Sequence, residues 1–209
     1  MSNSVQSSGA DLAPRAGGLL AASAVLVIFV MGHHPAGHGH GEGISLSHIV
    51  HGAMIVLLVT QLWALSVFTL VRAGDGWRLA GLVFFAMATV AQLIAGTMNG
   101  FVVAELAGHG TELVPQGVFT ALWEINQGFA GVGIALAGLG LVLWGAGLIR
   151  QGGRLALLAG LALIASGAVS AGALLFGVIA LDIAGAFIAY GLQAAGLLVL
   201  GLALWRRAI

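Results

Sequence analysis

Six runs of apolar residues, each long enough to cross a bilayer, leave this chain few ways to fold. They cover roughly residues 16–32, 48–71, 78–99, 118–149, 154–180 and 182–205, and about 20 apolar residues suffice to span a hydrocarbon core. Only 7% of the 209 residues are charged, 60% are hydrophobic and the mean hydropathy is +1.09. A water-soluble domain would carry about 25% charge, so lipid must be the solvent. The fold class expected is all-α: a polytopic membrane protein of six transmembrane helices, forming a single domain over residues 15–209. The first fourteen residues are polar and low in complexity, and are expected to be a disordered cytoplasmic tail. Arg15 and the run 16–31 imitate a signal peptide, but no small-x-small cleavage site follows, so the run is read as a retained first helix.

The gaps between the runs alternate in character. Arg15, Arg72, Arg78, Arg150, Arg154, Arg206 and Arg207 all flank one set of span ends, whereas His33, His34, His38, His40, His48, His51 and His109 all lie at the other. Arginine marks the cytoplasmic side. The loops 72–77 and 150–153 and both termini are therefore assigned to the cytoplasm, and the histidine-bearing loops 33–47 and 100–117 to the outside. Trp77 and Trp205 suit the inner interface and Trp123 the outer one. The composition, without lysine and rich in Ala, Gly and Leu, points to a prokaryotic plasma (inner) membrane, with a periplasmic or extracellular outer face.

Absences narrow the chemistry. There is no cysteine, hence no disulfide, thiolate metal site, Fe–S cluster or cysteine nucleophile. Lysine is missing too, which removes Schiff-base chemistry and a P-loop lysine. The net charge is zero, and no basic patch exists for nucleic acid. No nucleotide-binding, hydrolase, zinc-protease or c-type haem motif occurs, so the balance leans away from an enzyme.

A weak self-similarity divides the spans into three parallel two-helix repeats. Arg78-Leu-Ala-Gly-Leu and Arg154-Leu-Ala-Leu-Leu open the third and fifth spans, and Gly96 and Gly172 then fall at the same offset. His48, Glu124 and Asp182 occupy corresponding outer ends of the even-numbered spans. If the hairpins are equivalent, these three gather about a central axis, where one imidazole and two carboxylates would suit a divalent metal or a proton. Helix capping is the competing explanation for Asp182.

The densest signal is Gly32-His-His-Pro-Ala-Gly-His-Gly-His-Gly-Glu-Gly43, with four imidazoles and one carboxylate spaced by glycine. Imidazole without thiolate favours Cu, Ni, Zn or Fe over Ca or Mg. His48 and His51 begin a helix and lie about 60° apart on one face. They could share an ion, or one could ligate haem with His33 or His34 across from it. Gln92, Asn99, Gln127, Tyr190 and Gln193 continue a polar trail inward, and no ionisable series reaches the arginine side, which favours a closed-bottomed pocket over a channel. The first reading of these side chains is interhelical glue, with the polar path as the alternative.

Three readings stay open. The first is a membrane protein with a His/carboxylate site at its outer face (His33, His34, His38, His40, His48, His51, His109, Glu124 and Asp182) that binds a divalent transition metal for uptake, delivery or sensing. The second is a noncatalytic subunit or lipid-binding scaffold, acting as a homo-oligomer or beside a membrane partner. The third is a redox protein holding haem or a quinone.

Overall fold

A computed structural model describes residues 3–34, 46–71, 75–108, 115–207 and 209. Every regular element among them is helical: α1 (Asn3–Gly32), α2 (Leu46–Leu70), α3 (Gly76–Thr97), a π-helical turn (Met98–Val102) leading into α4 (Val103–Gly108), α5 (Gln116–Gln151), α6 (Arg154–Leu175) and α7 (Ile183–Trp205). Six helical units are long and apolar enough to cross a membrane, the third being continuous over Gly76–Leu106. The expected all-α, six-span architecture is therefore the one observed.

Some boundaries move, each for a local reason. Helix α1 begins at Asn3 and runs through Pro14, inside the segment expected to be disordered. Extending a helix that its apolar span has already nucleated costs far less than starting one. Helix α6 stops at Leu175 rather than near residue 180. Gly177 adopts a left-handed φ of 67°, and the amides of Gly177 and Val178 turn back to the carbonyls of Leu174 (3.0 Å) and Ala173 (2.8 Å), closing the helix end. The third span continues past residue 99 because the π-helical turn carries the chain into α4 instead of ending it. Helix α5 has 36 residues, about 54 Å at 1.5 Å per residue, and so outruns the hydrocarbon core, as its sequence suggested.

The spans form a ring in which each packs on its neighbours in chain order, and α7 closes back on α1. Glycine sets the approach of α5 to α6. A Cβ on Gly138 would lie 2.6 Å from the Gly167 carbonyl, and one on Gly145 would lie 2.5 Å from that of Gly160. Such backbone contact between membrane helices needs small residues on both sides. Leu20, Leu65, Leu141, Leu163 and Leu200 are fully buried in the ring's middle, while Phe29, Val56, Val83, Val90 and Leu158 point outward. That outward apolar surface suits a lipid bilayer.

The ring order is the one that three hairpins side by side would give. Equivalence does not extend to the residues that the repeat would pair, as their surroundings below show.

The arginine-bearing end holds a buried cation. Arg78 was expected to flank a span at the headgroups, but only 1% of it is exposed. Its Nε lies 3.2 Å from Asp75 Oδ2, and its guanidinium sits 4.5 Å above the Phe68 ring. Beside it, Trp144 donates its indole N–H to Thr69 Oγ1 at 3.2 Å. A buried guanidinium is tolerable when paired and stacked in this way.

Candidate functional site

A cluster of polar side chains lies at the histidine-bearing end. At the start of α2, Ser47 and His51 sit one turn apart, and the His51 Nδ1 lies 2.8 Å from the Ser47 carbonyl. The other ring nitrogen, Nε2, lies 3.1 Å from Asn99 Nδ2. An amide nitrogen can only donate and a carbonyl can only accept. The proton therefore resides on Nδ1, and Nε2 presents a lone pair. Tautomer and ring orientation are both fixed, as for imidazoles that serve as metal ligands.

The π-helical turn makes this possible. Asn99 and Gly100 belong to it, and a Cβ on Gly100 would collide with the Cβ of His51. The wider turn and the missing side chain let α3 close on α2, which brings Asn99 to the imidazole. Turns of this kind recur at functional sites.

His34, at the end of α1, faces the same ring. The His34 and His51 centroids are 4.9 Å apart in an edge-to-face arrangement. Both imidazoles line a cavity of about 190 Å³ whose wall also includes Asn99, Asn126, Gln127 and Asp182. Gln92 and Tyr190 lie deeper, and Met31 and Met54 are also part of the wall. Trp123, 45% exposed, stands at the rim. Beneath the cavity the bundle is braced: Gln193 donates to the Ile134 carbonyl (2.9 Å) and to Ser170 Oγ (3.1 Å), tying α7 to α5 and α6. This is the interhelical glue expected of such amides.

The other sequence candidates fall elsewhere. His33 turns back on its own helix, with Nδ1 2.8 Å from the Phe29 carbonyl. His48 is half-buried, packs edge-on against Phe101 at 5.2 Å and is not part of the cavity wall. Glu124 is exposed; the inward stripe of α5 is Trp123, Asn126, Gln127 and Ala130, and Glu124 sits on its shoulder. Asp182 caps α7, accepting from the Gly185 N–H at 2.7 Å, and also reaches the cavity rim. His48, Glu124 and Asp182 thus have three different environments. His38, His40, Glu42 and His109 lie outside the described residues. Among the described residues, no group of three or more His, Asp or Glu side chains is placed to hold a metal ion.

Sequence reasoning missed Ser47, Asn126 and the two methionines as wall residues. Ser47 and His51 at i, i+4 were a legible signal, as were Met31 and Met54, each three residues from a histidine.

No protein-family model matches this chain, and no curated protein or solved structure matches it either.

Proposed function

We propose that this multi-pass membrane protein binds a transition-metal ion at its histidine-bearing end, for uptake, delivery or sensing. One observation carries the reading: His34 and His51 meet at 4.9 Å in the wall of a cavity, with His51 Nε2 held as an acceptor. The glycine-spaced loop that continues from His34 would collect the ion and pass it to this pair, and Asp182 at the rim would supply charge. By the arginine rule this end faces outward and both termini are cytoplasmic, in a plasma (inner) membrane. The lack of an ionisable series running on from the cavity toward the arginine end supports capture over free conduction.

Size separates this reading from the haem alternative. Ligand pockets for drug-sized molecules run to about 300–1,000 Å³, and the cavity holds about 190 Å³. The two imidazoles are also in ring contact, with no gap between them for a macrocycle. Elemental analysis of the purified protein tests the proposal. Stoichiometric Cu, Ni, Zn or Fe, lost in His51→Ala, is the expected result. Metal-free protein that binds no added ion above background overturns it.

A second reading, a subunit or scaffold for membrane assembly, draws on the outer face of α3 and α5. There Met87, Val90, Ile94, Ile125, Phe129 and Val132 line an apolar groove that an acyl chain or a partner helix would fit. Stoichiometric co-purification of one membrane protein with an empty cavity would favour it.

A further inference from the structure

We infer that the ion for which the cavity is built is monovalent copper, held by two thioethers and two imidazoles. The inference rests on the metal-binding reading above and deepens it.

Met31 and His34 are three residues apart near the end of α1. His51 and Met54 are three residues apart near the start of α2. On α2, positions i and i+3 share a face; His34 lies two residues beyond α1, where its N–H turns back to the Met31 carbonyl at 3.2 Å. The two helices run antiparallel and pack together, and the His34–His51 ring contact at 4.9 Å joins the end of the first Met-x-x-His to the start of the His-x-x-Met. All four residues line the one cavity. The methionines are 5% and 8% exposed, shielded from water as soft ligands require.

Three chemical arguments select the ion. Thioether sulfur is a soft donor that favours Cu(I) over Ni(II), Zn(II) or Fe(II). With cysteine absent, methionine is the one soft ligand the chain can offer. Charge points the same way: Asp182 is the sole carboxylate among the described lining residues, and no arginine joins it. The cost of moving an ion out of water rises steeply with its charge, so one carboxylate balances a monovalent ion and leaves a divalent one uncompensated.

Binding needs little rearrangement. His51 keeps its Nδ1 proton on the Ser47 carbonyl and ligates through Nε2, and the Asn99 amide swings aside. No covalent bond breaks and no electron moves; the Asn99–His51 hydrogen bond is exchanged for the metal–nitrogen bond.

The test uses the full chain in detergent or nanodiscs, titrated with Cu(I) under ascorbate against a competing chromophoric chelator. Zn(II) and Ni(II) titrations run alongside. X-ray absorption at the copper edge reads the ligand atoms. Met31→Leu/Met54→Leu preserves side-chain volume, and its elution profile and melting curve check that it folds. The expected result is one Cu(I) per chain with sulfur in its shell, weakened at least about tenfold in the double variant, while Zn(II) and Ni(II) affinities stay within about twofold. Copper bound through nitrogen and oxygen alone, with affinity unchanged in the double variant, overturns the thioether site and leaves the broader metal reading standing. Failure of the unaltered chain to bind any of these three ions, or Fe(II) titrated in the same way, overturns both.

Discussion

Asn99 donates to the Nε2 of His51 at 3.1 Å, joining two helices through residues 48 positions apart in the chain. The bond does two opposing things. It satisfies a buried imidazole nitrogen in the unliganded protein, and it occupies the lone pair that a metal would use. Replacing Asn99 with alanine should therefore lower the stability of the metal-free protein by about 0.6 kcal/mol, the average for an interhelical hydrogen bond in a bilayer. The same change should raise metal affinity about threefold, because the ion no longer displaces a donor. A melting curve and a metal titration of one variant read both effects. A parallel fall in the two would mean that Asn99 holds the site together and does not compete for it.

Gly100 should be the least replaceable glycine of the third span. A Cβ there meets the His51 side chain, whereas one on Gly96 would meet Ile55 Cγ1 at an ordinary 3.7 Å. Gly100→Ala should cost about 1–3 kcal/mol through overpacking and should disturb the His34–His51 contact. Gly96→Ala should be neutral or slightly stabilising, since alanine is the better helix former by about 1 kcal/mol. Chemical denaturation of the two variants in the same detergent makes the comparison.

At the opposite end, Asp75→Asn isolates a charge effect. Asparagine can still accept from the Trp77 N–H, as Asp75 does at 3.0 Å, so the cap of α3 survives. The ion pair with buried Arg78 does not. The expected loss is about 1–3 kcal/mol, because a buried charge is left without its counter-ion. Adding Arg78→Met should recover part of that loss by removing the charge itself. Thermal unfolding of the single and double variants tests this, and a double variant worse than Asp75→Asn would show that the guanidinium is needed for its contact with Phe68 instead.

The spans could be read from sequence because a bilayer allows so few backbone arrangements. Length and hydropathy alone fixed their number, and the capping role of Asp182 could be read from its place after a turn. The site was legible only in part. His51, His34, Asn99, Gln127, Tyr190 and Asp182 were named from residue type and spacing, but which residues meet depends on rotation about each helix axis. That rotation is set by packing, to which a uniformly apolar helix gives little periodic clue. Glu124 shows the consequence: it is one residue from Trp123 in the wall, about 100° around the axis, and falls outside. The π-helical turn was hidden for a related reason. Asn99-Gly100 looks like the end of a span, and only contact with His51 explains why the chain continues in helical form.

The outward orientation proposed for the cavity rests on arginine placement, and the absence of cysteine makes it directly measurable. Phe176 is 86% exposed just beyond α6, at the histidine-bearing end, and Gln151 is exposed at the other. A single cysteine at either position would be the chain's only thiol. Phe176→Cys should react with a membrane-impermeant maleimide in intact cells, and Gln151→Cys only after the membrane is permeabilised. Both positions avoid the cavity wall, so neither variant should alter metal content. Labelling in the reverse order would turn the imidazole pair toward the cytoplasm. Capture from outside would then be impossible, and the same site would instead have to receive its ion from the cell interior.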